Sequence, residues 1–430
     1  VPRLLWSQAH PSLTPTAPGG NACADHSASR VAALATALPL GFFTAPAKAT
    51  PLPSAPTVTL VRTVLAKVDG DNKSDTVKLF SLGANVYKLQ VTTNTGKISS
   101  AQFTSALPAD EPTPFYGAAS LDGVKGKELL VKIWPASGFA PVTLRTYTWR
   151  EGKLVAEAAP TAPNGKVWTF DDGTMRVYGH RFYTSHGRRY VEAASLVQKT
   201  TSSPWTGKIV GSVWRNGKWV KTSTRSVKLS AKASIRYRGL SGVELLLGNL
   251  RTDIDGDHAA DRVDFFLHSY RLSTEFLGQY GVRVATAKKT PTRSFWTSRL
   301  TGDNIAAGSF DGVAGKELAF TAYADTAEWT VFTWRSGKLV NAAAPSICGV
   351  TPNVWQGCSD EAPTYVNFSV SAGKSYALAV TLNPPMTFGS FRQSVWQNGT
   401  WVLVSTWSRD VTPADAPLLH DLTAPDLVHP

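Results

Sequence analysis

Long apolar runs are missing from this sequence. No stretch reaches the ~18 uninterrupted apolar residues that a membrane-spanning helix requires, so no transmembrane helix is expected. Segments with a helical period are absent too, and 34 glycines, 27 prolines and an excess of Asp over Glu (21 to 10) favour turns over helices. Catalytic signatures are equally scarce: there is no Gly-x-Ser-x-Gly elbow, no His-Glu-x-x-His, no P-loop and no Gly-x-Gly-x-x-Gly opening a helix. Acids are outnumbered, 31 against 44 bases, which gives a net charge of +13 and a surface that favours anionic partners. What remains is a 430-residue chain, 43% hydrophobic, too apolar and aromatic to be disordered. The class expected is all-β.

Residues 1–49 read as a signal peptide and leader. Arg30 precedes an apolar run over 31–43, which is followed by the small-x-small site Ala47-Lys48-Ala49. Thirteen residues are too few to cross a bilayer core of about 30 Å. Secretion is therefore expected, to the extracellular space or the cell wall, with a mature chain starting near Thr50. Its removal takes Cys23 and leaves Cys348 and Cys358, for which a disulfide is the expected state in an exported protein.

The remainder repeats itself. Val68-Asp69-Gly70-Asp71 returns as Ile254-Asp255-Gly256-Asp257, an offset of 186 residues. Ser120-Leu121-Asp122-Gly123-Val124 returns as Ser309-Phe310-Asp311-Gly312-Val313, and Val213-Trp214 with Asn216-Gly217 returns as Val395-Trp396 with Asn398-Gly399. Each half divides again into three segments, near 57–105, 113–160 and 164–226, then 241–300, 301–345 and 350–410. Asn-Gly between alternating apolar residues marks tight hairpins. Six units of about four strands predict a six-bladed β-propeller built from a duplicated three-blade unit, with two separate three-sheet β domains as the alternative. The domain boundaries are 50–240 for the first half, 241–410 for the second and 411–430 for a C-terminal tail. Thr57 to Leu65 is expected to close the ring by pairing with the final blade.

The chemistry sits in an aspartate loop. Asp253, Asp255, Asp257 and Asp261 occupy positions 1, 3, 5 and 9 of a short glycine-containing turn, a spacing that suits the six to eight hard oxygens calcium takes. The first copy offers Asp69, Asp71 and Asp75, with Lys67 at the first ligand position. The loops at Asp122 to Glu128 and Asp311 to Glu317 carry Val124 and Val313 at the fifth position and read as structural relics without metal. At these residues the sequence resembles the FG-GAP or VCBS-type repeats found in integrin alpha heads and exported bacterial proteins, whose blades carry Asp-x-Asp-Gly-Asp-Gly-x-x-Asp loops. His258 and Asn72 depart from the second glycine of that motif. The resemblance implies a propeller, calcium as a structural ion, and an extracellular adhesive or scaffolding role; it implies no reaction.

Between Glu192 and Glu244 no acid occurs while ten bases do. Lys218, Lys221, Arg225 and Lys228 within it are the candidate contacts to an anionic cell-envelope polymer or glycopolymer, set against the alternative that edge-strand lysines discourage aggregation. No nucleic-acid partner is expected. The recurring tryptophans allow a second reading, a lectin-like carbohydrate-binding propeller, although a repeated large residue more simply fills equivalent blade cores. A third is a propeller hydrolase or lyase using His180, His186 and His268 with Asp171 and Asp172; the expected state is no enzyme.

Overall fold

The computed structural model describes residues 58–423 apart from 109–112, 136–141, 170–174, 273–275, 288–291, 300–304, 324–327, 348–354, 356–363, 384–385 and 419–421. The leader, Asp171, Asp172, Cys348 and Cys358 lie outside the described residues. Six consecutive runs of four antiparallel strands make up the described residues; five fall inside the segments expected from the repeat, and the third overruns its segment, with β13 ending at Leu229 instead of 226. The first is β1 (Thr59–Ala66), β2 (Asp75–Ser81), β3 (Val86–Thr92) and β4 (Ile98–Thr104). The second is β5 (Phe115–Ala119), β6 (Glu128–Ile133), β7 (Thr143–Arg150) and β8 (Lys153–Glu157), with the two-residue β9 (Trp168–Thr169) against β7. The third is β10 (Arg176–Ser185), β11 (Arg188–Val197), β12 (Trp205–Arg215) and β13 (Lys218–Leu229), with β14 (Leu240–Ser241) on its inner edge. In the second half come β15 (Leu245–Thr252), β16 (Asp261–Leu272), β17 (Phe276–Ala285) and β18 (Thr292–Arg299), then β19 (Ile305–Gly308), β20 (Glu317–Tyr323), β21 (Glu328–Arg335) and β22 (Lys338–Asn341). The last run is β23 (Thr364–Ser371), β24 (Lys374–Asn383), β25 (Phe388–Gln397) and β26 (Thr400–Asp410), with β27 (Leu422–Thr423) on its inner edge.

Local sequence explains the hairpins. Six of them turn on a residue followed by glycine, both at positive φ: Glu151-Gly152, His186-Gly187, Asn216-Gly217, Ser336-Gly337, Ala372-Gly373 and Asn398-Gly399. Positive φ at both central residues is the type I′ geometry that matches the twist of paired strands. Alternation then buries one side of each strand, as in β2, where Asp75, Val77 and Leu79 face inward.

The apolar clusters order the sheets. One joins the first and second sheets through Val64, Val77, Leu89, Leu129 and Tyr147. Another joins the second and third through Leu130, Leu144, Trp168, Phe182 and Val191, and takes in Leu245 and Leu267 of the fourth. Two more join the fourth to the fifth and the fifth to the sixth. The halves meet at β15. Leu246 pairs with Ala118 of β5, so the second and fourth runs (the second and fourth sheets) join edge to edge in one nine-stranded sheet, and the Asn249 side chain exchanges two hydrogen bonds with the Leu65 backbone, at 3.0 and 2.6 Å.

The architecture is all-β, with several antiparallel sheets and no closed one among the described residues. The expected ring-closing pairing of the first strand is corrected: β1 pairs with β2 and faces Asn249, while the free edge of β23 is taken by β27. The reason lies in matched ends. A short helical turn, Ile235–Tyr237 in one half and Pro413–Leu418 in the other, leads each time into a two-residue parallel strand, β14 on β10 and β27 on β23.

Candidate metal centre and its sister loops

Four loops, two per half, share one closing device. The acid that opens the second strand of a sheet reaches back to the backbone N–H seven residues earlier: Asp75 accepts from Val68 at 2.7 Å, Glu128 from Leu121 at 2.6 Å, Asp261 from Ile254 at 2.9 Å and Glu317 from Phe310 at 2.8 Å. Each of these acids is at most 1% exposed. A carboxylate bonded to buried amides fixes the turn whatever else it binds, because charge-assisted bonds of this kind are roughly twice as strong as neutral ones. The terminal acid of the motif is thus a structural cap first.

Neighbouring loops interlock. The Lys127 N–H donates to Lys67 O at 2.8 Å and the Lys316 N–H to Asp253 O at 2.9 Å. At Gly315, φ is +98° and a Cβ would stand 2.4 Å from Ile254 O, so the approach of the fifth-sheet loop to the fourth-sheet loop requires glycine there. His258 and Asn72, where the repeat motif has its second glycine, take φ of 65° and 68°: they adopt the left-handed conformation that glycine would supply.

The four loops differ in what neutralises their acids. In the second and fifth sheets a guanidinium does it: Arg150 pairs with Asp122 Oδ2 and Arg335 with Asp311 Oδ2. Their remaining oxygens accept from Val124 N at 2.7 Å and Val313 N at 2.8 Å. In the first sheet, Asp69, Asp71 and Asp75 bring oxygens within 4.8 Å of one another, and Asp75 Oδ1 accepts from Asn94 N at 3.1 Å. Every oxygen of Asp75 is therefore satisfied by backbone, and burial raises the pKa of Asp69.

The fourth-sheet loop is the exception. Asp253, Asp255 and Asp261 converge within 4.8 Å, and Asp261 Oδ1 is buried with no hydrogen-bond partner while its Oδ2 serves Ile254 and Asp255. Asp253 Oδ1 accepts from Gly256 and Asp257, and Oδ2 from His258 at 2.9 Å, which fixes the carboxylate and leaves Oδ2 a second lone pair. Burial, opposed by its backbone bonds, raises the Asp261 pKa. An orphaned buried carboxylate oxygen beside two further carboxylates fits a hard cation. Of the four acids expected as ligands, Asp257 stands outside the triad, with Oδ1 accepting from Ala259 N at 2.9 Å.

The other expected sites fare differently. The ladder between β12 and β13 divides the basic segment between two faces: Lys208, Lys221 and Lys228 share one, and Arg215, Lys218 and Arg225 the other. A bulge opposite Gly211/Ser212 makes the switch. Arg225 is committed to Glu192 at 2.7 Å and to the Tyr237 hydroxyl at 3.3 Å. Sequence patterning alone misses this split, because the bulge shifts the alternation by one residue. His180 is buried, with neither ring nitrogen bonded and its pKa pulled down to about 3 by burial, whereas His186 sits at a hairpin tip against Ser185. These histidines are not brought together. Of the recurring tryptophans, Trp149, Trp168, Trp355 and Trp401 are buried in the sheet cores, whereas Trp214, Trp219, Trp334 and Trp396 are half-buried.

No family model matches the chain, and no curated protein matches it. Among solved structures it is similar to a triple arginine-to-alanine mutant of AofleA from Arthrobotrys oligospora, at 11% identity over 83% of this chain and 90% of that one, with a TM-score of 0.24. A protein from Lactobacillus plantarum shows 12% identity over 82% and 97%, with a TM-score of 0.19. GH43B of a xyloglucan PUL from Bacteroides ovatus shows 11% identity over 82% and 90%, with a TM-score of 0.17. All three scores fall below the level at which a shared fold is argued.

Proposed function

We propose that this chain is an exported, calcium-stabilised β-propeller of six blades that acts as an extracellular or cell-wall scaffold, adhesion or binding module, without catalysis. The observation that carries the metal is the buried, unpartnered Oδ1 of Asp261 beside Asp253 and Asp255. A calcium ion there would be held by those three residues and would tie the fourth sheet to the fifth, since Lys316 donates to Asp253 O. Asp69, Asp71 and Asp75 form the weaker counterpart, because Asn94 already occupies the oxygen that a cation would take.

For the partner, an anionic envelope glycopolymer is supported by Lys208, Lys221 and Lys228 on one exposed face of the third sheet. Retention of the protein on such a polymer should fall steeply with salt, because screening shortens to about 3 Å at 1 M. Replacing Lys208, Lys221 and Lys228 with Gln should abolish retention and leave the melting temperature nearly unchanged. Replacing Arg215 and Lys218 should weaken it less. Equal loss from both sets would assign the effect to net charge and remove the face-specific reading.

A further inference from the structure

The second sheet holds a buried acid that loop closure does not consume. Asp122, Glu128 and Glu157 each bring one carboxylate oxygen within 4.8 Å of the others. Asp122 and Glu128 are each 1% exposed. Glu157 lies at the end of β8, where its Oε1 accepts from Trp219 Nε1 of β13 at 3.1 Å and its Oε2 is buried with no hydrogen-bond partner. The Glu157–Trp219 bond crosses from the second sheet to the third.

Charge counting defines what this cluster needs. From β7, Arg150 pairs with Asp122 and the Thr148 hydroxyl donates to Glu128. From β11, Arg189 donates to Leu121 O at 2.9 Å and to Ser120 O at 3.2 Å, and it interacts electrostatically with Glu128 and Asp122. Trp219 is the facing group from β13. Three acids therefore meet two guanidiniums, and full ionisation would leave one uncompensated negative charge where water does not reach. Buried groups in that position take a proton instead.

The second half lacks the seam acid. There Asp311 and Glu317 face Arg335, Thr333 donates to Glu317 at 3.0 Å, and the positions matching Glu157 and Arg189 are Ala342 and Ser375. One acid and one base differ together between the halves. The excess of a single acid is the same in both.

We propose that the Asp122–Glu128–Glu157 cluster holds one proton at neutral pH, and that loss of this proton loosens the seam between the second and third sheets, which makes the seam a pH-sensitive clasp. Burial first, then the neighbouring acids, pushes Glu128 up to about 7 and Glu157 up to about 8. Both values are raised above the unfolded 4.5, so the stabilisation is complete below pH 4.5 and disappears as pH climbs through 7 to 8. The proton belongs on Glu157, whose Oε2 is buried with no hydrogen-bond partner.

Glu157→Gln tests this in the full chain, because the amide keeps the acceptor for Trp219 and mimics the protonated acid. Between pH 7 and 9 the wild-type melting temperature should fall by roughly 2 °C more than that of the variant. Amide exchange in residues 153–157 and 218–221, corrected for its intrinsic pH dependence, should accelerate in the wild type alone. Parallel melting curves across that range, or no difference in exchange at the seam, would overturn the proposal. Should Glu157→Gln not fold, calorimetry of the wild type at pH 7.5 in buffers of different ionisation enthalpy decides the point. Unfolding must then release more protons than Glu317, pushed up to about 7 in the second half, supplies; a release no larger than that, uptake, or no exchange of protons refutes the clasp.

Discussion

Asp261 and Asp75 occupy matched positions and differ in one bond, so replacing each with Asn separates the cap from the ligand. In both variants the amide oxygen still accepts the two backbone N–H groups seven and six residues upstream, at 2.9 and 3.3 Å for Asp261 and at 2.7 and 3.1 Å for Asp75. For Asp261→Asn the new NH₂ occupies the place of the orphaned Oδ1 beside Asp253 and Asp255, which removes a buried unpaired carboxylate oxygen and supplies a donor to two acids. The calcium-free protein should therefore be no less stable, and more stable by up to about 1 kcal/mol. With calcium a hundredfold above its Kd, the wild type should gain about 2.7 kcal/mol. Taking about 2.1 cal/mol/K per residue over the roughly 370 residues of Ala55–Pro430, that gain is a rise of about 3 °C in melting temperature. Asp261→Asn should erase the rise. Asp75→Asn should lower the calcium-free melting point, because the Asn94 N–H then meets an amide donor where Oδ1 stood, yet should keep the calcium response. Differential scanning fluorimetry with calcium, magnesium and chelator reads all of this. Equal calcium responses in the two variants, or a wild type indifferent to chelator, would refute the reasoning.

Two further outcomes follow from the same structure. His180 is held neutral at about 3 against 6.5 when unfolded, so its burial favours the fold above pH 6.5 and opposes it as pH falls; between pH 6.5 and 5 the loss is about 2 kcal/mol, and His180→Leu should flatten that limb of the stability profile. Gly315→Ala places a methyl group 2.4 Å from Ile254 O and should cost about 2 kcal/mol or more, whereas Gly217→Ala, at φ of +73° with open space around it, should cost about 1 kcal/mol; equal losses in urea melts would mean that the loop interlock adds nothing.

Much of the fold was legible. Five of the six segments enclose their strand runs, and the third stops short of the end of β13 at Leu229; the match is close because turn chemistry is local, with residue-plus-glycine pairs setting positive φ wherever they fall between alternating strands. The aspartate loop was legible as a cluster, and Asp253, Asp255 and Asp261 converge as the spacing required. Its partners were not. Nothing local announces that Asn94, nineteen residues beyond Asp75, satisfies one loop and leaves its twin unsatisfied. The same holds for Glu157, whose neighbours Asp122, Glu128 and Trp219 come from three other strands or loops; in sequence it is one more acid after a hairpin. The basic segment is partitioned for a related reason: simple alternation would set Lys218 with Lys228, and a single bulge moves Lys221 onto the face of Lys228 and leaves Lys218 with Arg225.

The paired endings of the halves carry a historical consequence. β14 seals β10 in the first half just as β27 seals β23 in the second, so the copied unit runs from β1 through β14 and again from β15 through β27. Only Gly242, Val243 and Glu244 separate the two copies. A tandem duplication with so short a junction requires the end of the first copy to lie beside the start of the second. Recombinant boundaries set at 59–241 and 245–423 would separate the copies as two chains, and their reassociation would measure how much of the union holds without the covalent link.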